Sequence, residues 1–403
     1  MGRQESGPRC SRLGKRYIAT GLVSFLASSV LGPYLSLWLK GIGLGFSEIG
    51  LTQSVSEIAQ LITDFPTGGV ADRHGRVKTY AAGSSLFGIG LLIIGLTHTL
   101  SAVLVGATLS GFGMALVSGT LVPWLYDALN DRKSVQQTLG KLKAISGPVR
   151  FTGGVIGGCL ASVAPNLPVL TAGMLSIASA IIALFLLPNN CGNRKAKYME
   201  LLRRGLREIR KNRALHLLLA SSFFLSFTAR AFFTFWMLLL VQRGLSREYL
   251  GVLFALLLLS TSAGGLIAQK LEPTSKTAAM LTVLLGTEIA MLGIIENLAI
   301  SIALLFALEV TLSARFPVMA VLRNSFIPKE VRSTVTSAMS TVGSGFTAIS
   351  NVMVGAFAEK LSLGKAYFIA GSLGMLAALP LLGLTFLSVP DERGNMPEKV
   401  DGG

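Results

Sequence analysis

Long apolar runs separated by short charged segments are the feature that most constrains this chain. A helix needs about 20 predominantly apolar residues to cross a bilayer. Only 14% of the 403 residues are charged, against about 25% in a typical soluble domain. The pattern therefore predicts an all-α integral membrane protein with twelve transmembrane helices. The predicted spans, numbered 1 to 12 in chain order, are residues 17–39, 46–71, 79–98, 101–129, 142–163, 167–188, 215–241, 248–269, 276–295, 298–326, 333–358 and 365–388.

The lysines and arginines between the spans indicate the orientation. If the N-terminus is cytoplasmic, the inner segments hold 27 of these cations and the outer segments hold 5. Because cytoplasmic loops of membrane proteins carry an excess of Lys and Arg, we expect both termini inside. The net charge of +16 comes from these orienting loops, so it does not indicate nucleic-acid binding.

A basic stretch near the middle of the chain predicts the domain organisation. We expect a cytoplasmic N-terminus (1–16), a six-helix half (17–188), a cytoplasmic linker (189–213), a second six-helix half (214–388) and a cytoplasmic tail (389–403). The first span follows a basic start as in a signal peptide, but it is too long and lacks an A-x-A cleavage site, so we expect it to stay uncleaved.

The linker itself predicts an amphipathic helix. Its apolar residues recur at helical spacing against a strongly basic face, which favours the inner membrane surface and anionic lipid. The alternative is a linker that only orients the protein. The apolar residues are Met199, Leu201, Leu202, Leu206 and Ile209.

Several kinds of site are missing from the sequence. It contains no G-x-x-x-x-G-K-[ST] loop, no C-x-x-C and no H-E-x-x-H, so ATP-driven and metal chemistry are not indicated. The three histidines lie near span ends and form no catalytic constellation. We expect no enzyme activity, no cofactor and no metal.

The loop from Gly68 to Lys78 reads G-G-V-A-D-R-H-G-R-V-K and lies between spans 2 and 3. It resembles the signature loop of the major facilitator superfamily of secondary transporters, which is roughly G-x-L-A-D-R-x-G-R. Val70 replaces the usual Leu and Val77 interrupts the following basic run. The positions that match are Gly68, Ala71, Asp72, Arg73, Gly75 and Arg76.

This resemblance implies the architecture and the mode of action. The superfamily has two six-helix halves related by a repeat, with a substrate site near the midplane between them. It works by alternating access, usually as a monomer. A second, weaker copy of the loop fits the repeat, since Gly68 and Ala71 correspond to Gly265 and Ala268 at an offset of 197.

The resemblance also implies an inner gate. In the superfamily, an acid at the inner end of helix 4, here Asp127, often pairs with the loop arginine, here Arg76. The loop acid, here Asp72, lies at the N-terminus of helix 11 near Ser333, where free N–H groups and the helix dipole favour a carboxylate. Together with Gly68, Arg73 and Gly75, these residues are expected to favour the outward-facing state.

Two ionisable residues near the midplane are candidates for the site. Arg230 in span 7 lies about 18 Å from the outer end and Glu309 in span 10 about 15 Å. In the superfamily both helices line the cavity, and an intramembrane charge indicates function by default. We expect a site for substrate, a proton or both, with Phe227 and Trp236 beside it. The alternatives are a buried salt bridge that only holds two helices, and an Arg230 that binds an anionic group of the substrate.

Three further intramembrane charges have predicted roles. Asp64 and Arg150 lie at similar depth, about 12 Å from the inner ends of spans 2 and 5, and we expect them to form an ion pair. Asp64 then acts in structure and gating or carries a proton. Arg315 lies toward the inner side of span 10, where it lines the exit path or pairs locally.

The predicted function is transport of a small organic molecule through the cell membrane, coupled to protons. Span 5 carries Gly147–Pro148 followed by Gly153–Gly154, which partly resembles a motif of drug–proton antiporters and favours export. The first alternative is a proton-coupled importer of a sugar or organic anion. The second, from another class, is a membrane sensor that keeps the fold without transporting.

Overall fold

The computed structural model describes residues 8–190, 198–327 and 332–387, and all regular secondary structure in these ranges is helical. A single-turn 3-10 segment, Leu384–Phe386, follows the last α-helix. The α-helices are α1 (Pro8–Leu31), α2 (Tyr34–Gly41), α3 (Phe46–His74), α4 (Arg76–Leu96), α5 (Leu100–Val117), α6 (Leu121–Leu129), α7 (Arg132–Val163), α8 (Leu167–Leu186), α9 (Tyr198–Lys211), α10 (Arg213–Gln242), α11 (Tyr249–Ala268), α12 (Ser275–Ile294), α13 (Leu298–Ser325), α14 (Arg332–Lys360), α15 (Leu363–Leu376) and α16 (Ala378–Gly383).

The helices agree with a multi-span membrane protein. Among the described residues, nine helices are long and apolar enough to cross a bilayer, and the pair α1 and α2, bent by 40°, makes a tenth. Helices α3 and α7 are 29 and 32 residues long and occupy the predicted places of spans 2 and 5. Their acidic and basic residues lower their hydropathy. The architecture is therefore consistent with twelve spans, and the inward placement of both termini stays a prediction.

The chain divides into two compact units. Unit 1 comprises Met1–Tyr198 and Leu245–Leu256, and unit 2 comprises Met199–Gly244 and Leu257–Gly403. The main division falls in the predicted linker. The first part of α11 groups with unit 1 because its backbone meets α7, where a Cβ on Gly251 would lie 2.0 Å from the carbonyl oxygen of Gly154.

Both units repeat one packing pattern. In unit 1, α4 packs on α5 and α8, and α1 packs on α7 and α8; in unit 2, α12 packs on α13 and α15, and α10 packs on α14 and α15. A Cβ on Gly88 would lie 2.5 Å from the carbonyl oxygen of Gly173, and one on Gly286 would lie 2.7 Å from that of Gly371. Both glycines of the second pair follow those of the first by 198 positions, which agrees with the repeat that the family resemblance implies.

The loop between α3 and α4 is held by the segment that follows α8. Gly75 has φ +102°, in the region that favours glycine. The side-chain oxygen of Asn189 accepts hydrogen bonds from the backbone N–H groups of Val77 (3.2 Å) and Lys78 (3.4 Å). The N–H of Arg76 donates to the carbonyl oxygen of Asn190 at 2.8 Å. These bonds satisfy donors at the start of α4 that have no partner within the helix.

Gly75→Ala tests whether Asn189 stabilises this loop. A Cβ there would lie 2.0 Å from Asn189, so the variant has to displace the asparagine as well as bear the left-handed backbone. Gly43→Ala is the matched control, because Gly43 has φ +94° and open space around its Cβ position. We expect the control to cost about 1–2 kcal/mol of backbone strain and Gly75→Ala to cost clearly more. The apparent melting temperatures of the two variants in detergent measure these costs. Equal decreases in melting temperature would show that the contact with Asn189 does not stabilise the loop.

Helix α9 forms within the predicted linker, and it packs on unit 2. Ile209 is buried in a core cluster that includes Leu215, Leu322 and Val335. A Cβ on Gly205 would lie 2.7 Å from the carbonyl oxygen of Thr334 at the start of α14. One side of the helix is thus covered by protein, whereas Leu206 is 40% exposed. The side chains of Met199, Leu201 and Leu202 lie outside the described residues, so binding of α9 to anionic lipid stays a prediction.

Gly205→Leu is expected to undock α9. The added side chain has to push against the backbone of α14, and overpacking of this kind costs roughly 1–3 kcal/mol. Gly140→Leu on α7 is the control, because nothing lies within 4 Å of its Cβ position. Limited proteolysis after residue 190 and the apparent melting temperature report the change. A Gly205→Leu protein as stable and protease-resistant as the control would contradict the docking.

Candidate functional site

Arg76 and Asp127 meet at the end of unit 1 where α3 is followed by α4. The Nη1 group of Arg76 lies 2.5 Å from Oδ2 of Asp127, with the side chains 12% and 50% exposed. Arg76 begins α4 and Asp127 lies near the end of α6, so the pair predicted from the sequence is present. Arg73 is exposed. The side chains at positions 68 and 72 lie outside the described residues, and the predicted contact of Asp72 with the region of Ser333 stays a prediction.

Asp64 and Arg150 do not form the ion pair that the sequence predicted. The guanidinium carbon of Arg150 lies 4.4 Å from the centre of the Phe25 ring, a cation–π contact. Asp64 accepts a hydrogen bond from the side chain of Gln60, one turn earlier on its own helix. The prediction was wrong because matching depth did not reveal which helices are neighbours: α7 packs on α1, whereas α3 packs on α5.

Arg230 and Glu309 are likewise not joined. Within the described part of the chain, no hydrogen bond or ion pair links them. The guanidinium of Arg230 lies 5.5 Å from the centre of the Phe233 ring, and Glu309 is half-buried on α13. The salt bridge that the sequence left open as an alternative does not form between these two described residues, because α10 packs mainly on α14 and α15 and α13 mainly on α12.

The two aromatic residues predicted for the site are buried in unit 2. Phe227 is 3% exposed and Trp236 is 4% exposed. The Phe227 ring lies edge-on to that of Phe223, 5.5 Å between centres, and Phe223 in turn meets Phe346 of α14 at 5.2 Å. Phe227 therefore belongs to an aromatic cluster that holds α10 against α14.

Unit 2 contains a cavity of about 470 Å³ between α10, α13 and α14. Its walls combine apolar side chains, including Phe316 and Met319, with hydroxyl groups and two arginines. The sequence predicted one of these arginines, Arg315, and missed the other, Arg323. The hydroxyls include Ser222 on α10 and, on α14, Ser340, Ser344 and Thr347.

Arg315 is fixed by the neighbouring helix. Only 8% of its surface is exposed, and its Nε donates to the hydroxyl oxygen of Thr282 on α12 at 2.8 Å. That hydroxyl donates in turn to the carbonyl oxygen of Ala278 at 2.6 Å. No carboxylate pairs with Arg315 among the described residues. Local pairing with an acid, one predicted role, is therefore not found in the described part of the chain, and the residue lies in the cavity wall.

A second hydroxyl bridge lies one turn earlier on α13. Thr311 donates to Oε1 of Glu288 at 2.9 Å, and Glu288 is 5% exposed. Oε2 of Glu288 has no hydrogen-bond partner in the described part of the protein. Two polar contacts of the same kind thus join α12 to α13 and fix the helix that carries Arg315.

Some of this site could have been found in the sequence. Arg323 follows Arg315 by eight residues, a spacing that returns to one face of a helix. Ser340, Ser344 and Thr347 recur at intervals of four and three, which predicts a polar stripe on span 11. Among the described residues, no three His, Cys, Asp or Glu side chains group as a metal site.

Comparison with known proteins gives the same architecture. The structure superposes on the nucleoside transporter NupG with a TM-score of 0.80, covering 93% of this chain and 100% of that one at 14% identity. It superposes on a bacterial homolog of the human lysosomal transporter Spinster, inward-facing and occupied, with a TM-score of 0.70, covering 93% and 95% at 14% identity. At this identity the likeness shows the fold alone.

The sequence matches extend to shorter stretches of curated relatives. Quinolone resistance protein NorA of Staphylococcus aureus (strain Mu50 / ATCC 700699) is 25% identical over 163 residues, 40% of this chain and 42% of NorA. Multidrug resistance protein 2 of Bacillus subtilis (strain 168) is 26% identical over 165 residues, 41% of each chain. The matches thus span about two fifths of the relatives' length.

A family model gives the longest of these sequence matches. The model of the Major Facilitator Superfamily aligns with residues 17–350, which include the glycine-rich loop, its second, weaker copy and the arginine-lined cavity. Proteins of this family are multi-pass membrane transporters of small molecules and not enzymes. The chain belongs to the major facilitator superfamily.

Proposed function

We propose that this transporter exports a small organic molecule across the cell membrane in exchange for protons. The observation that carries the proposal is the similarity to two resistance proteins, one named for quinolones and one for multiple drugs. In a family of transporters, resistance to a drug requires that the drug move outward. The partial Gly-Pro motif at Gly147–Pro148 adds support.

Glu309 is the acid that we assign to proton coupling. It is half-buried in α13, and no ion pair neutralises it within the described residues. An ionised side chain inside a membrane span costs several kcal/mol, so a proton stabilises it whenever water is excluded. Glu309 precedes Phe316 by seven residues, which places both on one helix face, and Phe316 lines the cavity. A substrate there and a proton on Glu309 can therefore influence each other. Asp64 is the second candidate.

Proton-driven transport in everted vesicles tests the function. With the interior acidified, norfloxacin, a fluorescent quinolone, should accumulate inside, and Glu309→Gln should lower this accumulation at least tenfold. The variant should still exchange internal for external norfloxacin without a pH gradient, since it keeps the site and loses only the proton. Glu296→Gln is the matched control, because this acid lies exposed between α12 and α13.

Three results would contradict the proposal. Wild-type accumulation in Glu309→Gln would remove that acid from the coupling mechanism. Accumulation only in right-side-out vesicles would reverse the direction and favour the proton-coupled importer of a sugar or organic anion. Binding without flux in either orientation would favour a sensor.

We also propose that Arg76 and Asp127, with Asp72, Arg73 and the loop glycines Gly68 and Gly75, form the inner gate. An exposed ion pair contributes about 0–1 kcal/mol to stability. A contact of that strength can open and close in each cycle without a large barrier. The pair is thus suited to a gate, and its loss should affect turnover more than folding.

Asp127→Asn tests the gate. We expect turnover of norfloxacin to fall severalfold while binding and the apparent melting temperature stay close to wild type. Asp131→Asn is the control, since Asp131 is the N-cap of α7 and asparagine caps a helix about as well. Hydrogen bonds from the side chain and backbone of Ser134 hold the pKa of Asp131 below its usual range, so the control variant removes one negative charge at neutral pH. Equal losses of binding and turnover in Asp127→Asn would contradict a gating role.

A further inference from the structure

The cavity in unit 2 contains a cation that the protein leaves open to a ligand. Arg315 is more than nine-tenths buried, and Thr282 occupies its Nε. The described residues provide no hydrogen-bond acceptor for its two terminal amino groups. Neither of its nearest acids forms an ion pair with it in the described residues: Glu288 accepts from Thr311 through Oε1, and Glu309 lies six residues earlier on α13. A buried guanidinium without a counter-ion is unfavourable, and an anion in the cavity would offset that cost.

The cavity has a second cation on the same face of the same helix. Arg323 follows Arg315 by two helical turns, about 12 Å along α13, and both line the cavity. The Nε of Arg323 is buried with no hydrogen-bond partner in the described part of the chain. Because Arg323 lies near the end of α13, the two arginines place positive potential from the inner mouth toward the middle of the unit. An anion entering past Arg323 meets a stronger, more deeply buried partner at Arg315.

The remaining walls suit an organic molecule larger than an inorganic ion. Phe316, Met319 and Met339 provide apolar surface, and Ser340 and Ser344 provide hydroxyls. The volume of about 470 Å³ is in the range of sites for small organic ligands, which are mostly apolar with a few placed polar groups. A guanidinium with its Nε fixed presents its terminal donors in a defined plane, the arrangement that binds a carboxylate or phosphate through two parallel hydrogen bonds.

We propose that this cavity binds the anionic group of the transported molecule, so that the substrate class is small organic anions with an apolar body. Arg315 holds the carboxylate or phosphate, the hydroxyls of α14 take its remaining hydrogen bonds, and Phe316 and Met319 contact the apolar part. That the bound anion is also transported rests on the proposed function. The preference of the cavity for anions does not, because binding measurements alone test it.

A charge series on one scaffold tests the preference. Isothermal titration of the purified full-length protein in the neutral detergent dodecyl maltoside uses 2-naphthoate, 2-naphthamide and 2-naphthylmethylammonium, which share a ring system and differ in charge. We expect 2-naphthoate to bind at least tenfold more tightly than the neutral or the cationic compound. Equal affinity for the three compounds, or no binding of 2-naphthoate at millimolar concentration, would overturn the proposal.

Substitutions locate the effect. Arg315→Gln should lower the affinity for 2-naphthoate at least tenfold and remove the preference, whereas Arg213→Gln, an exposed arginine at the start of α10, should leave both unchanged. Arg315→Lys keeps the positive charge but loses the planar guanidinium, so it should retain only part of the preference for 2-naphthoate. This variant is used in place of Arg315→Gln if Arg315→Gln does not fold. A full preference for 2-naphthoate in the variant used would overturn the assignment to Arg315.

A pair of glycines on α14 tests the cavity without touching a charge. A Cβ would meet nothing within 4 Å at either Gly343 or Gly345, yet only Gly343 lines the cavity. Gly343→Leu should fill part of the cavity and lower the affinity for 2-naphthoate at least fivefold, whereas Gly345→Leu should leave the affinity unchanged. Equal effects of the two substitutions would overturn the location of the site in this cavity.

The binding and transport experiments distinguish the two proposals. If the protein transports norfloxacin in response to pH but does not prefer 2-naphthoate, only the inference about the cavity is wrong. If it prefers 2-naphthoate but shows no pH-driven transport, only the proposed export is wrong.

Discussion

Contact between helix backbones at glycines is the interaction on which both units depend. Lipid chains are as apolar as leucine, so helices in a membrane gain little from apolar burial and associate instead through close packing. The pairs Gly88–Gly173 and Gly286–Gly371 bring carbonyl oxygens within 2.5–2.7 Å of the space that a Cβ would occupy. Any larger residue would separate the helices and weaken the contacts along their whole length. The two glycines of each pair are separated by the same number of residues in both units, so this close helix packing is a structural feature that the two units share.

The fold could be predicted because the bilayer imposes strong rules on a sequence. Span length, loop charge and the glycine-rich loop each have a direct physical cause, and the Arg76–Asp127 contact followed from the family resemblance. The pair of Asp64 with Arg150 was predicted from depth alone, and depth alone suggested the alternative of a salt bridge between Arg230 and Glu309. Depth along a helix gives one coordinate of a side chain. The direction around the helix axis and the identity of the neighbouring helix depend on packing, which no single span reveals.

Contacts that depend on short polar residues were the other part that sequence reasoning missed. Asn189 follows a span and looks like ordinary linker, yet it binds the backbone of a loop more than a hundred residues earlier. Thr282 and Thr311 look like common small residues in a span, yet each meets a buried charge on the adjacent helix. Hydroxyl and amide side chains carry no charge pattern or periodicity of their own. Their roles become visible only when the helices are brought together.

The strength of the interactions that the charged residues can make depends on their burial. Arg76 and Asp127 are partly exposed at one end of unit 1, where water competes for both partners and the pair is weak. Such a contact can break and reform as a transporter changes state. Arg315 is buried and fixed by a hydroxyl, and a buried charge attracts an opposite charge more strongly than one at the surface does. A permanent acid partner inside the protein would cancel that attraction. Its absence from the described part of the cavity leaves the arginine able to bind a charge that arrives and departs.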